Sequence, residues 1–214
     1  TGSELVRYAP RIYPERPLPE VKTPPSPPAT FETTEELYLT GLHLEQYRHP
    51  TIEPEPYWEE ALRRDPMDVR SNNAMGLSHF RRGGFAEAEA YFSKAIDRLI
   101  RRNPNPRDGE PYFNLGMAYK YQGRYDEAYA AFYKAIWSYA WQAAGYYALA
   151  EIDGLRSDWV SALDHIGRSL QTQTMNMKAR NLKAAFLRRL GSLTEAAALG
   201  APLVACMAGA PEMR

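Results

Sequence analysis

Residues 112–136 read YFNLGMAYKYQGRYDEAYAAFYKAI. The rhythm of tyrosine and alanine on either side of Gly123 predicts two helices joined by a tight turn. Gly123 stands where a first helix must end, as a C-terminal cap does. Asp126-Glu127 opens a second helix, whose positive end suits carboxylates. Small residues at Gly116 and Ala128 allow the two helices to approach closely, and Tyr119 and Phe132 supply rings to fill the space between such hairpins.

The pattern recurs along the chain. Ala128, Phe132 and Ala135, moved back 40 positions, fall on Ala88, Phe92 and Ala95; a further 34 positions carry Phe92 and Ala95 onto Trp58 and Ala61. Forward by 34, Ala128 and Phe132 become Ala162 and Ile166, and one more step reaches Ala196. First-helix positions march with them: Gly76, Gly116, Ala150 and Ala184. A single hairpin cannot bury its apolar stripe, so such copies must stack. The 40-residue interval holds an insertion at RRNPNPRDGEP, residues 101–111. There Asn103-Pro104 and Asn105-Pro106 stop a helix, and Asp108-Gly109 signals a turn. The helix before it is expected to run one turn long, through Arg101-Arg102.

With Tyr112, Leu115, Gly116, Tyr119, Ala128 and Phe132 in register, the chain resembles the tetratricopeptide repeat family. The preceding copy keeps Met75, Gly76, Ala88, Phe92 and Ala95, and the earliest keeps Trp58, Ala61 and Pro66. The resemblance implies an all-α fold, a right-handed superhelical solenoid of about five hairpins. The units are expected at about 34–66, 69–103, 109–142, 143–176 and 177–205. The expected division is a proline-rich leader over 1–30, the solenoid over 31–205 and a tail over 206–214. The first helix should start at Thr33-Thr34-Glu35-Glu36. In the last unit Gly200 and Pro202 interrupt the second helix, and LVACMAGA, residues 203–210, is apolar where a terminal repeat should be polar. Something is therefore expected to cover that end: the leader, further chain, or the mate of a homodimer.

The leader, APRIYPERPLPEVKTPPSPPAT over residues 9–30, is too rich in proline for a helix. It reads either as an extended linker or as a strap anchored by Tyr8, Ile12, Tyr13, Leu18 and Val21.

Chemistry is sparse. The 26 basic and 26 acidic residues balance, which argues against a nucleic-acid or anionic-membrane binder working by bulk charge. No apolar run is long enough to span a membrane. One cysteine, Cys206, permits no internal disulfide and fits a reducing, cytoplasmic setting. His43, His49, His79 and His165 show no metal-ligand spacing and read as packing or surface residues. No catalytic motif and no cofactor-binding loop is found. Arg63-Arg64, Arg81-Arg82, Arg101-Arg102 and Arg188-Arg189 fall near helix C-termini, where cations offset the dipole; the alternative is an edge for an acidic peptide tail. Trp137, Tyr139, Trp141, Tyr146 and Tyr147 are read as core between repeats rather than as a sugar platform.

In the family the first helices line a concave face. The resemblance then places Arg70, Asn73, Leu77 and Phe80 in the groove, followed by Phe113, Met117, Lys120 and Tyr121. Tyr147 and Glu151 come next, then Lys178, Asn181, Arg188 and Arg189. Some members grip a terminal carboxylate with lysine, arginine and asparagine. Here Asn73 and Asn114 are present, but Phe113 stands in the place of a lysine. The mixed aromatic and basic lining suits an extended peptide better. The function implied is a non-catalytic scaffold for a peptide or protein partner. A second, broader resemblance rests on TTEELYLTGLHLEQYRHPT (33–51) and NNAMGLSHFRRGGFAEAEAYF (72–92) together with the proline-rich leader and the segment 101–150. These are similar to the helical-repeat part of large bacterial proteins with an upstream carbohydrate-type β-sandwich domain. It implies an accessory domain of a carbohydrate-processing enzyme.

Overall fold

The computed structural model describes residues 7–11, 23–47 and 49–199. Cys206, Gly200, Pro202 and the apolar stretch 203–210 lie outside them, as do Ile12, Tyr13, Leu18 and Val21 of the leader. The described residues are helical and contain no strand. In chain order the helices are α1 (Thr34–Gln46), α2 (Glu55–Arg64), α3 (Val69–Arg81), α4 (Phe85–Ile100), α5 (Glu110–Tyr121), α6 (Tyr125–Ala135), α7 (Tyr139–Leu155), α8 (Trp159–Thr172) and α9 (Met177–Arg189). Helical backbone resumes over residues 193–199.

Each helix packs on its chain neighbours, giving the hairpins α1/α2, α3/α4, α5/α6 and α7/α8, with α9 beginning the next. Across repeats α1 touches α3, α3 touches α5 and α5 touches α7. The odd-numbered helices therefore form the inner layer of a right-handed solenoid. The fourth hairpin starts at Tyr139, four residues before its expected position, because a turn at residues 136–138 closes α6 early. At 16 residues against the 11 of α6, α4 absorbs part of the insertion, and its last turn gives way at Arg101.

The caps follow from local chemistry. Thr33 Oγ1 accepts from the Glu36 amide at 3.2 Å while Glu36 Oε2 accepts from the Thr33 amide at 3.1 Å. This reciprocal pair starts α1 at its expected place. The turn between helices repeats as faithfully as the helices do. Gly83, Gly123 and Gly191 adopt φ of 83°, 76° and 79°, and Ser157 takes the same place in the fourth hairpin with φ of 60°.

The core is a ladder of rings set into notches. Trp58, Ala61, Ala88, Phe92, Ala95, Ala128, Phe132, Ala135, Ala162 and Ile166 are fully buried, and Ala196 nearly so. Phe92 lies over Gly76, and it also clusters with Leu115 and Ala118 of the next hairpin. Phe132 lies over Gly116 and clusters with Ala148, Leu149 and Ile152 of α7. One ring thus closes its own hairpin and binds the next. A notch that sequence reasoning missed, Gly41 under Trp58, extends the march into the first hairpin.

Part of the leader is a strap. Tyr57 Oη donates to the Ser26 carbonyl at 3.1 Å, Arg64 Nη1 donates to the Phe31 carbonyl at 2.8 Å, and Phe31 packs edge-on against Tyr57 at 5.9 Å. Tyr8, expected as an anchor, is instead 86% exposed.

Candidate functional site

The inner layer carries the expected groove residues, and the structure sorts them into four places. At its centre, Phe113 and Met117 of α5 face Ala144, Tyr147, Ala148 and Glu151 of α7, with Asn176 and Lys178 at the start of α9. They enclose an open notch of about 250 Å³. The spacing explains it: Phe113/Met117, Ala144/Ala148 and Tyr147/Glu151 are i, i+4 pairs and share helix faces, and the two alanines leave the space. Trp141 stacks on Phe113 at 4.9 Å and fixes its ring. Lys120 is ion-paired with Glu151 at the rim. Burial, with the Glu151 carboxylate beside it and hydrogen-bonded to it, holds the Tyr147 phenol above its ordinary pKa.

Toward the first hairpin, Arg70 is ion-paired with Glu35 of α1 and lies 4.6 Å above the Tyr38 ring. The hydrogen bond from Arg70 holds the Glu35 carboxyl below its usual range. Asn73 Nδ2 donates to Glu110 Oε1, and Asn114 Nδ2 donates to Asn73 Oδ1, both at 2.9 Å. The two asparagines thus bind each other and a carboxylate. That arrangement does not suit a terminal carboxylate, whose charge Glu110 would repel. Leu77 lines the same wall. Tyr38 and Glu110 were not foreseen, although the Gly41–Gly76 interval carries Asn73 back onto Tyr38.

Between these places Phe80, Phe85 and Tyr121 meet as three rings, with centroids 5.2–5.4 Å apart. Tyr121 remains 59% exposed there. Finally, Asn181, Arg188 and Arg189 lie exposed along α9, outside the notch.

The reading of the aromatic cluster as core needs correction at two residues. Trp137 and Tyr139 are not core but 62% and 75% exposed. The early end of α6 puts them in and just after the connecting turn, outside the interlocked faces. His79 does stack on Tyr91, at 5.2 Å. His165 packs between Tyr129 and Tyr146, and its Nδ1 lies 2.6 Å from Asp153 Oδ2 in the buried α7–α8 joint. Among the described residues no group of three or more His, Cys, Asp or Glu is placed to hold a metal ion. Nor is any helix there long and apolar enough to cross a membrane.

Residues 69–136 match the tetratricopeptide repeat family. Solved structures of the same architecture include PilF of Pseudomonas aeruginosa, with a TM-score of 0.69 and 16% identity over 83% of this chain and 78% of that one. PilW, a type IV pilus biogenesis factor, gives 0.65 and 22% over 82% and 80%. YrrB, described as a tetratricopeptide protein with an unusual peptide-binding site, gives 0.60 and 12% over 76% and 80%. At these identities the likeness is one of fold. The chain has the architecture of a tetratricopeptide solenoid, a fold generally used as a protein-interaction scaffold.

Proposed function

We propose that this protein is a non-catalytic scaffold that holds an extended peptide, or a segment of an adjoining domain, in the groove formed by α3, α5, α7 and α9. The observation that carries the reading is the half-open notch bounded by Phe113, Met117, Tyr147, Glu151 and Lys178. It combines an apolar floor, which rewards burial of one side chain, with a phenol, a carboxylate and an ammonium able to bond an extended backbone. The Phe113 ring, held by Trp141 and Phe132, pre-organises the floor, which lowers the entropy cost of binding. The peptide-binding site named for YrrB supports the same use of the fold. An adjoining β-sandwich domain of the same polypeptide, as the broader resemblance implies, is one source of such a segment, and the reducing cytoplasm is its proposed setting.

Phage-displayed peptides selected on the protein test the reading. Selected peptides should lose at least about tenfold in affinity, about 1.4 kcal/mol, on Met117→Glu and on Tyr147→Ala. Val160→Glu, at an 81% exposed site on α8, should leave them unchanged. Peptides indifferent to both groove changes refute the groove.

A further inference from the structure

Between Asp164 and Glu195 the chain contains no aspartate or glutamate, but it contains Arg168, Lys178, Arg180, Lys183, Arg188 and Arg189. Five of these lie on α9. Dipole compensation accounts for Arg188 and Arg189 in its last turn. It does not account for Lys178 and Arg180 at the opposite end, where a cation meets the positive end of the helix. The arginine pairs of the first two hairpins differ too. Arg63 and Arg64 bind Glu60, Arg81 binds Glu45 and Arg82 binds Glu55, whereas the five α9 cations have no ion-pair partner among the described residues. Lys178, Asn181, Ala185, Arg188 and Arg189 are all exposed. At 100° per residue they fall on one face. Lys178 joins that face directly to the apolar notch.

We infer that α9 is the docking face for an acidic stretch of a partner peptide, whose neighbouring apolar residue occupies the notch at Met117 and Tyr147. The inference rests on the groove reading above and adds the chemistry and direction of the ligand. The stripe from Lys178 to Arg189 is about 16 Å long, which about five extended residues span. A polyanionic nucleic acid fits less well, because Arg70, Arg81 and Lys120 on the rest of the inner layer are already paired with Glu35, Glu45 and Glu151 and are not free to follow a continuous phosphate backbone. A second copy of this chain also fits poorly, since Glu35, Glu45, Glu55 and Glu60 of its first hairpins already pair with arginines of their own array.

The test uses a fluorescent peptide of about 12 residues, acetylated and amidated, with one leucine followed by about five glutamates. Its controls are a copy with glutamine for glutamate and a single-stranded oligonucleotide of similar length. The glutamate peptide should bind at least about tenfold more tightly than the glutamine peptide, and the advantage should shrink as NaCl rises from about 50 to 300 mM. The exposed triple change Lys178→Glu, Arg188→Glu, Arg189→Glu should abolish that advantage while circular dichroism stays unchanged. Equal binding of the two peptides, both weakened by Tyr147→Ala, overturns the acidic ligand and leaves the groove standing. Glutamate-dependent binding that ignores Met117→Glu and Tyr147→Ala overturns the groove and its apolar anchor, leaving a separate acidic dock. Tighter binding of the oligonucleotide, self-association at low salt that the triple change abolishes, or no binding of either peptide overturns the inference.

Discussion

The ring of Phe132 occupies the space over Gly116: a β-carbon added there would stand 2.6 Å from Phe132 Cε1. Phe132 is fully buried and also supports α7, so it has no free side toward which to retreat. Gly116→Ala should therefore destabilise the array by about 1–3 kcal/mol through overpacking, despite the better helix propensity of alanine. Gly167, in the middle of α8, provides the contrast, since a β-carbon there meets nothing within 4 Å. Gly167→Ala should stabilise by about 0.5–1 kcal/mol. Urea denaturation of both variants checks the opposite signs.

Ser157 stands at the turn position that is Gly83, Gly123 and Gly191 in the other hairpins, and its φ of 60° lies in the left-handed region. A β-carbon is costly there, by about 1–2 kcal/mol. Ser157→Gly should raise stability by about 0.5–1 kcal/mol after the extra unfolded-state entropy of glycine is offset. The same change at a half-buried helical position, such as Ser161, should lower stability.

His165 Nδ1 and Asp153 Oδ2 meet at 2.6 Å in a joint closed by the rings of Tyr129 and Tyr146. Removing one partner strands the other in a buried site. Asp153→Ala and His165→Ala should each cost about 1–3 kcal/mol, the range for a buried polar group left without its partner. The double variant should cost less than the sum of the two, and a thermodynamic cycle measures the difference.

Burial, and then the Asp153 carboxylate, push the Tyr129 phenol up to about 12. The folded state thus holds this proton more tightly than the unfolded chain, whose phenol titrates near 10. Its contribution to stability is complete below about pH 10 and is lost as pH rises toward about 12. Tyr129→Phe should remove that part of the alkaline decline. Urea midpoints of both proteins across this range, with phenolate absorbance as the titration readout, decide the point.

Arg64 clamps the strap by donating to the Phe31 and Glu32 carbonyls while Glu60 holds its other side. Arg64→Ala should cost about 1.5–3 kcal/mol, the range of a charged hydrogen bond. It should also open the segment 23–33 to proteolysis before the helices unfold. Cleavage that starts elsewhere, at an unchanged rate near the strap, would contradict this role.

The hairpins could be read from the chain because what makes them is local and repeated. The Gly116/Phe132 pair, the Gly123 turn and the Thr33–Glu36 cap each depend on residues within one hairpin, and the same arithmetic places them in the next. The interior of the groove is of another kind. Asn73 with Asn114 and Glu110, Lys120 with Glu151, and Phe113 with Trp141 join side chains of different repeats. Their pairing depends on how far each hairpin is rotated and shifted on its neighbour, and the period is silent on that. The same holds for Trp137 and Tyr139: three residues of turn, rather than their own apolarity, leave them in water. Periodicity thus specified the helices and their small and large contacts. Stacking of the hairpins then fixed which groove residues are already bound to each other and which, such as Met117 and Lys178, remain open to a ligand.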